Sequence, residues 1–161
     1  MISLGIDPGY QRIGFGIIEK KHGGEIKLIK AGLLKVRARN IPEIAIEVKA
    51  GIQELISTFH PKIAALEKLY FAKNQKTALR VAEMRGIIML ALKEEGMSPL
   101  EFSPSEIKAG ITGYGASDKK SVAKMVKLVL KEPTLRIIDD ASDALAIAIL
   151  ASQQKLPATL C

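Results

Sequence analysis

Four carboxylates occupy positions in the sequence from which they could converge on one site. Asp7 and Glu67 each end a short apolar run, and Asp140 and Asp143 lie three residues apart at the start of a helical pattern. Residues three apart share one face of a helix, and ligands of α/β sheets bind at the carboxyl ends of parallel strands. If the two apolar runs form neighbouring parallel strands, we expect all four acids at one edge of a sheet.

The chemistry that such a cluster favours is metal-dependent phosphodiester hydrolysis. Crowded carboxylates raise one another's pKa and require a compensating cation. Oxygen ligands without His or Cys suit Mg²⁺, with Mn²⁺ as a substitute. Two such ions about 3.5–4 Å apart activate a water molecule and stabilise the leaving oxygen. The acids therefore predict a nuclease site that holds two metal ions.

Each aspartate also has a purely structural explanation. Asp7 begins an Asp-Pro-Gly sequence, which is typical of a turn. Asp139, Asp140 and Asp143 are placed to cap a helix and to face the positive end of its dipole. Glu67 is harder to explain in this way, because an acid seldom ends a buried strand. The residues alone leave both interpretations of the aspartates open.

Basic side chains accompany the acids and are candidates for contacts to phosphates. Four lysines recur at helical spacing after residue 118 and predict a stripe along one helix. Such a stripe can neutralise phosphates, although an ordinary solvated helix face has the same pattern. A second basic set follows Glu67. The stripe consists of Lys120, Lys124, Lys127 and Lys131, and the second set of Lys68, Lys73, Lys76, Arg80 and Arg85.

Two aromatic residues lie shortly after Glu67. Tyr70 and Phe71 fall in a predicted loop that lysines flank on both sides. An aromatic ring in such a loop can stack on an unpaired base. It can equally pack beneath the loop, and we expect one of the two to do so.

The elements that must position these residues follow from the hydrophobic periodicity. Period-two alternation predicts strands, and apolar residues at spacings of three and four predict helices. The resulting order is β-β-β-α-β-α-β-α-α-α, which indicates a mixed sheet covered by helices. We expect strands near 2–6, 13–18, 25–37, 62–67 and 100–102, helices near 42–59, 75–95, 103–109, 118–131 and 140–154, and a glycine-rich loop at 110–115.

Length and composition limit the class of protein. The 161 residues, 48% of them apolar, suit one domain over residues 1–154 followed by a short tail at 155–161. The one cysteine, Cys161, excludes a disulfide scaffold and indicates a reducing compartment, so we expect a cytoplasmic protein. Apolar runs are too short to cross a bilayer. The 24 Lys and Arg against 17 Asp and Glu give a net charge of +7, which favours an anionic partner.

Four blocks of the sequence occur in an order that is familiar from one nuclease family. They are Leu4-Gly-Ile-Asp7-Pro-Gly9 with Arg12-Ile-Gly-Phe-Gly16, Ala65-Leu-Glu67 with Tyr70-Phe-Ala-Lys-Asn74 and Arg85-Gly86, Gly113-Tyr-Gly-Ala-Ser-Asp-Lys119, and Asp140-Ala-Ser-Asp143-Ala-Leu-Ala-Ile-Ala148. Together they resemble the RuvC-type Holliday junction resolvases of the ribonuclease H-like superfamily. The first block alone also resembles the YqgF-type nucleases, and the later blocks distinguish the two. The resemblance spans about residues 1–150.

The resemblance implies a ribonuclease H-like α/β fold with an antiparallel N-terminal meander and parallel strands in one mixed sheet. It implies that Asp7, Glu67, Asp140 and Asp143 bind the catalytic metal, and that Lys119 or Lys120 stabilises charge at the scissile phosphate. It also implies DNA contacts by Tyr70, Lys108 and Lys119, with Lys120 as the alternative to Lys119. From the two basic sets we add Lys73, Arg80 and Lys124 as predicted DNA-binding residues.

The activity that the resemblance implies is resolution of four-way (Holliday) DNA junctions in homologous recombination and repair. A homodimer, working with a branch-migration complex, would nick two strands symmetrically through a metal-activated water and leave 5′-phosphate and 3′-hydroxyl ends. Three alternatives stay open: a YqgF-like nuclease acting on RNA precursors, an actin-like or sugar-kinase ATPase, and a non-catalytic junction-binding protein. The ATPases need two such domains, and 161 residues are too few for them.

Overall fold

A computed structural model of the chain describes residues 1–10, 12–69 and 75–154, with the side chains of 75–77 outside the description. The predicted loop with Tyr70, Phe71 and Lys73, and the predicted tail at 155–161, lie outside the described residues. The order of elements that the sequence predicts is confirmed. The elements are β1 (Ile2–Asp7), β2 (Gly14–Lys20), β3 (Ile26–Leu33), α1 (Ile41–Phe59), β4 (Ile63–Glu67), α2 (Gln75–Glu94), β5 (Leu100–Phe102), α3 (Pro104–Thr112), α4 (Lys119–Val129) and α5 (Asp139–Ser152).

The five strands form one mixed sheet in the order β3-β2-β1-β4-β5. The first three strands pair antiparallel, and β4 pairs parallel with both β1 and β5. This arrangement confirms the predicted meander followed by parallel strands. It also makes β1 and β4 parallel neighbours, which is the condition under which Asp7 and Glu67 leave the sheet at the same edge.

The sheet separates two clusters of buried side chains. Leu4, Ile6 and Leu66 pack with α1 and α2 on one face. Ala65 packs with α3, α4 and α5 on the other face. Because side chains alternate along a strand, residues 5 and 7 of β1 and residues 65 and 67 of β4 belong to the α5 face. Among the residues that the structure describes, no helix is both long enough and apolar enough to cross a membrane.

Glycines allow α5 to lie unusually close to the sheet. A Cβ atom on Gly5 would stand 2.1 Å from the carbonyl oxygen of Ala144, and one on Gly14 would stand 2.1 Å from that of Asp140. On Gly16 it would stand 2.7 Å from the amide nitrogen of Leu145. No real Cβ atom tolerates such distances, so these three positions set the height of α5 above the strands.

The structure makes three corrections to what periodicity predicts, two to the ends of elements and one to the lysine stripe. The third strand ends at Leu33 rather than near 37, because the backbone amides of Arg37 and Ala38 donate to the Glu47 carboxylate at 2.6 and 3.1 Å. The predicted helix at 118–131 ends at Val129, and Lys131 adopts a left-handed backbone with φ of 58°. Lys131 therefore leaves the predicted lysine stripe, and its Nζ lies 3.4 Å from Glu25.

A fourth correction concerns the predicted glycine-rich loop at 110–115. Helix α3 continues to Thr112, so Gly110 is helical and only the end of the segment turns. A Cβ atom on Gly110 would stand 2.5 Å from Leu150, which shows that this glycine serves close packing of α3 on α5. Gly113 ends the helix with φ of 82°, a conformation that glycine adopts without strain.

Candidate active site

Two of the predicted acids lie side by side at the end of the sheet. The parallel register pairs Ile6 with Leu66, so the next residues, Asp7 and Glu67, leave neighbouring strands together. Both belong to the face on which α5 packs. On the other side of β1, Asp7 pairs with Gly14 of β2, and this glycine lies against the backbone of α5.

The first turn of α5 brings the other two acids over this edge. The N-cap residue is Ile138, and it makes no side-chain cap hydrogen bond. Asp140 instead accepts a hydrogen bond from Nε of Arg12, and Asp143 lies 2.9 Å from the Nζ of Lys119. Both carboxylates therefore contact basic side chains of other segments, and neither is the N-cap residue of α5.

Electrostatic crowding is strongest at Asp7. Burial is the largest cause that raises the pKa of its carboxyl group, and together with the charges of Asp143, Glu67 and Asp140, and against that of Lys119, it brings the value from 3.8 to about 7. The other three carboxylates therefore all lie within electrostatic reach of Asp7. Groups with pKa values shifted in this way, converging at one edge of a sheet, are typical of functional sites.

The neighbouring groups partly balance this charge. Burial and the charge of Asp143 raise the pKa of Glu67, and Lys108 and Lys119 lower it. The hydrogen bond to Asp143 raises the pKa of Lys119, and the charges of Asp139 and Asp7 act in the same direction. Lys119 therefore stays charged beside the acids. Of the two lysines left open by the sequence, Lys119 is the one whose ammonium contacts Asp143.

A cavity of about 250 Å³ opens beside the acids. Glu67, Lys108, Lys119 and Asp143 supply its polar side. Its apolar side comes from α3, α4 and α5. The residues there are Pro104, Ile107, Val122, Ala146 and Ile147.

Two of the remaining predicted DNA-binding residues, Lys124 and Arg80, lie on α4 and α2. Lys124 is exposed on α4, while Val122 and Val126 on the opposite side of the helix are buried. The guanidinium of Arg80 lies 4.8 Å from the ring centre of Tyr10. Tyr70 and Lys73 lie outside the described residues, so the stacking prediction for Tyr70 stays a prediction.

Sequence reasoning missed the role of Arg12. Its Nε and Nη2 atoms each lie 2.8 Å from the same carboxylate oxygen of Asp140, 128 residues away in the chain. Nothing in the spacing of residues could pair two positions so far apart. The sequence does contain a signal for the close approach of α5 to Gly14 and Gly16, because the two glycines are spaced to lie on one face of a strand.

Comparison with known proteins decides which family this arrangement belongs to. The family model for crossover junction endodeoxyribonuclease RuvC matches residues 3–151. The chain belongs to the RuvC family.

RuvC relatives match over nearly the whole chain. RuvC of Petrotoga mobilis is 42% identical over 149 residues, covering 92% of this chain and 91% of the relative. RuvC of Chloroflexus aggregans is 41% identical over 150 residues, with 92% and 91% coverage. The family assignment therefore does not depend on the opening block that the YqgF-type nucleases share.

Solved structures of RuvC confirm the fold. Thermus thermophilus RuvC in complex with a Holliday junction substrate superposes with a TM-score of 0.86 at 27% identity, covering 94% of this chain and 93% of that one. The yeast mitochondrial Holliday junction resolvase matches with a TM-score of 0.67 at 14% identity, covering 92% and 76%, and so supports the fold alone. The predicted ribonuclease H-like fold is confirmed.

The RuvC family is divalent-metal dependent, and the donor set of this site fits such an ion. The acids offer only hard carboxylate oxygens, which Mg²⁺ and Mn²⁺ prefer. In the described residues, no three acidic, His or Cys side chains are grouped closely enough to share an ion in their present positions. Asp140 and Asp143 are each paired with a basic side chain instead. A divalent ion would relieve the same repulsion that raises the pKa of Asp7.

Proposed function

We propose that this protein resolves Holliday junctions by paired, symmetric, metal-dependent nicks in homologous recombination and DNA repair. As a RuvC family member, the chain is a crossover junction endodeoxyribonuclease. The observation that supports the specific site is the convergence of Asp7, Glu67, Asp140 and Asp143 at one edge of the sheet, with the pKa of Asp7 raised to about 7. The Thermus thermophilus relative is described in complex with a Holliday junction substrate.

The four acids are the residues that would hold the metal. We propose Mg²⁺ as the ion, with Mn²⁺ as a substitute and two ions per site. When bound, the metal supplies an activated water and Lewis-acid stabilisation of the leaving oxygen. Asp7 and Glu67 are fixed by neighbouring strands, and Asp140 and Asp143 by the first turns of α5, so the protein holds its ligands on rigid elements.

Lys119 is the residue that we assign to the scissile phosphate. Its ammonium lies 2.9 Å from Asp143 and lines the cavity beside the acids. A fixed positive charge there stabilises the negative charge that develops on the phosphoryl oxygens in the transition state. Lys108, on the same cavity wall, contributes a second positive charge to the phosphate path. Cleavage would leave 5′-phosphate and 3′-hydroxyl ends, which a ligase can seal.

Exposed residues around the site are candidates for the rest of the DNA interface. Lys120 and Lys124 extend from Lys119 along α4, and they would contact phosphates outside the reacting one. We assign Arg80 and Lys73 to the same phosphate contacts, and Tyr70 to stacking on a base near the crossover.

A homodimer would match the two-fold symmetry of the junction and account for paired cuts. Helix α2 carries Leu79 and Leu90 with 65% and 56% exposure, which supports a second copy packing on this helix. A branch-migration complex is the proposed cellular partner. The +7 net charge suits work on DNA in the cytoplasm.

The test is cleavage of a synthetic four-way junction with Mg²⁺ by the wild type and by two isosteric variants, Asp7→Asn and Glu67→Gln. We expect both variants to lose nicking by at least about 10³-fold while they still bind the junction, because each removes one metal ligand and keeps its shape. Exchange of the exposed Asp139 for Asn is the matched control and should retain nicking. Full activity in either site variant would refute the four-carboxylate site, and preference for an RNA precursor over the junction would refute the substrate.

A further inference from the structure

Two of the four proposed metal ligands already have a positively charged partner within the protein. Asp143 lies beside Lys119, and one oxygen of Asp140 accepts a hydrogen bond from Nε of Arg12 and lies 2.8 Å from its Nη2. A hydrogen bond between a guanidinium and a carboxylate is of the strong, charge-assisted kind. That oxygen is therefore already engaged by a cation.

The position of Arg12 makes this contact replaceable. The residue lies between β1 and β2, outside both strands, and its side chain is 63% exposed, whereas that of Asp140 is only 26% exposed. The guanidinium thus approaches the acids from the solvent side.

Exposed ion pairs contribute little to stability, since the charges are well hydrated and the side chains lose freedom. The Arg12–Asp140 pair is accordingly cheap to break. A divalent ion at the acids gains far more from a carboxylate oxygen than a monovalent guanidinium does, because it carries twice the charge on a smaller radius. The two cations compete for one oxygen, and the metal is the stronger competitor.

We propose that Arg12 is a positioning residue that holds Asp140 in the metal-free protein, is displaced by the incoming metal ion, and then binds a phosphate of the DNA. This inference rests on the proposed function, because it takes Asp140 as a metal ligand. The released guanidinium keeps its five donors and fixed fork, which match a phosphodiester as well as a carboxylate. Metal binding thereby creates a DNA contact at the mouth of the site.

The first experiment measures Mg²⁺ binding by titration calorimetry, without DNA, for wild type, Arg12→Gln and Arg136→Gln. Arg136 is an exposed arginine shortly before α5, so its exchange removes the same charge away from the contact. We expect Arg12→Gln to bind Mg²⁺ about two- to fivefold more tightly than wild type, in line with the small free energy of an exposed pair. The control should change by less than that.

The second experiment measures junction binding as a function of salt, once in EDTA and once in Ca²⁺ as a probe that occupies carboxylate sites. In Ca²⁺, Arg12→Gln should reduce the slope of log affinity against log salt by about one, the value for one lost phosphate contact. In EDTA the slopes of wild type and variant should agree, because Arg12 is then held by Asp140.

The results separate this inference from the function on which it rests. Mg²⁺ affinity in Arg12→Gln that equals the control, or weaker affinity than wild type, would overturn the competition between Arg12 and the metal. Equal salt slopes in Ca²⁺ would overturn the phosphate contact. A wild type that nicks junctions with Mg²⁺ while either of these results holds would leave the proposed function intact. A wild type that neither binds Mg²⁺ nor nicks would refute the proposed function and this inference together.

Discussion

Exchange of Asp7 for Asn should stabilise the metal-free protein at neutral and alkaline pH. Burial is the main reason that the pKa of Asp7 rises from 3.8 to about 7, followed by the charges of Asp143, Glu67 and Asp140. A carboxyl group whose pKa is higher in the folded state binds its proton more tightly there. Its contribution to stability is therefore complete below pH 3.8 and is lost as the pH rises through 7.

The size of this effect follows from the shift. A change from 3.8 to about 7 corresponds to about 4 kcal/mol at about 1.4 kcal/mol for each pKa unit. About 2–3 kcal/mol of this is lost between pH 5 and pH 8, since the group is only half ionised at pH 7. Asparagine has nearly the shape of the protonated acid and no charge at any pH. The free energy of unfolding of the variant, relative to wild type, should therefore rise by about 2–3 kcal/mol from pH 5 to pH 8.

Urea unfolding in EDTA at pH 5 and pH 8 measures this difference directly. Asp139→Asn is the matched control, because Asp139 is a neighbouring acid of the same charge whose side chain is 82% exposed. The control should show a difference between the two pH values of less than about 0.5 kcal/mol. If Asp7→Asn gains no more stability between pH 5 and pH 8 than the control does, the argument that the acids repel one another in a buried cluster is wrong.

Three further predictions follow from the same geometry. Mg²⁺ at pH 8 should raise the melting temperature of wild type more than that of Asp7→Asn, as measured by thermal unfolding, because only the wild type keeps all four proposed metal ligands. Gly14→Ala should destabilise the protein by at least about 2 kcal/mol and abolish nicking, since its Cβ atom meets the carbonyl of Asp140, whereas Gly86→Ala, with open space around it, should do neither. Lys119→Ala should slow single-turnover nicking by about 10²-fold or more and Lys120→Ala by less than about fivefold, and equal losses would contradict the assignment of Lys119.

Sequence reasoning located the acids because their placement depends on local rules. Asp7 and Glu67 follow apolar runs whose period predicts strands, and Asp140 and Asp143 are separated by a helical spacing. Each rule needs only a few neighbouring residues. The parallel pairing of β1 with β4 stayed a condition of that reasoning, and the structure shows that it is met.

The contacts that complete the site could not be predicted in this way. The pairing of Arg12 with Asp140 depends on how far α5 lies above the sheet, a distance that glycine contacts determine in three dimensions. The sequence also contains no sign that a side chain would bind the backbone amides that follow the third strand. The third strand stops early because Glu47, on α1, takes the amides that a longer strand would have used.

The docking of α5 on β1 also determines when during synthesis the protein can become an enzyme. Asp140 and Asp143 are translated more than 130 residues after Asp7, on the helix that packs against the sheet. Until α5 is made and settles on the glycines of β1 and β2, two of the four proposed metal ligands are missing from the site. A nuclease built in this order cannot cut before α5 has docked, so its own assembly acts as a safeguard for the nucleic acids around it.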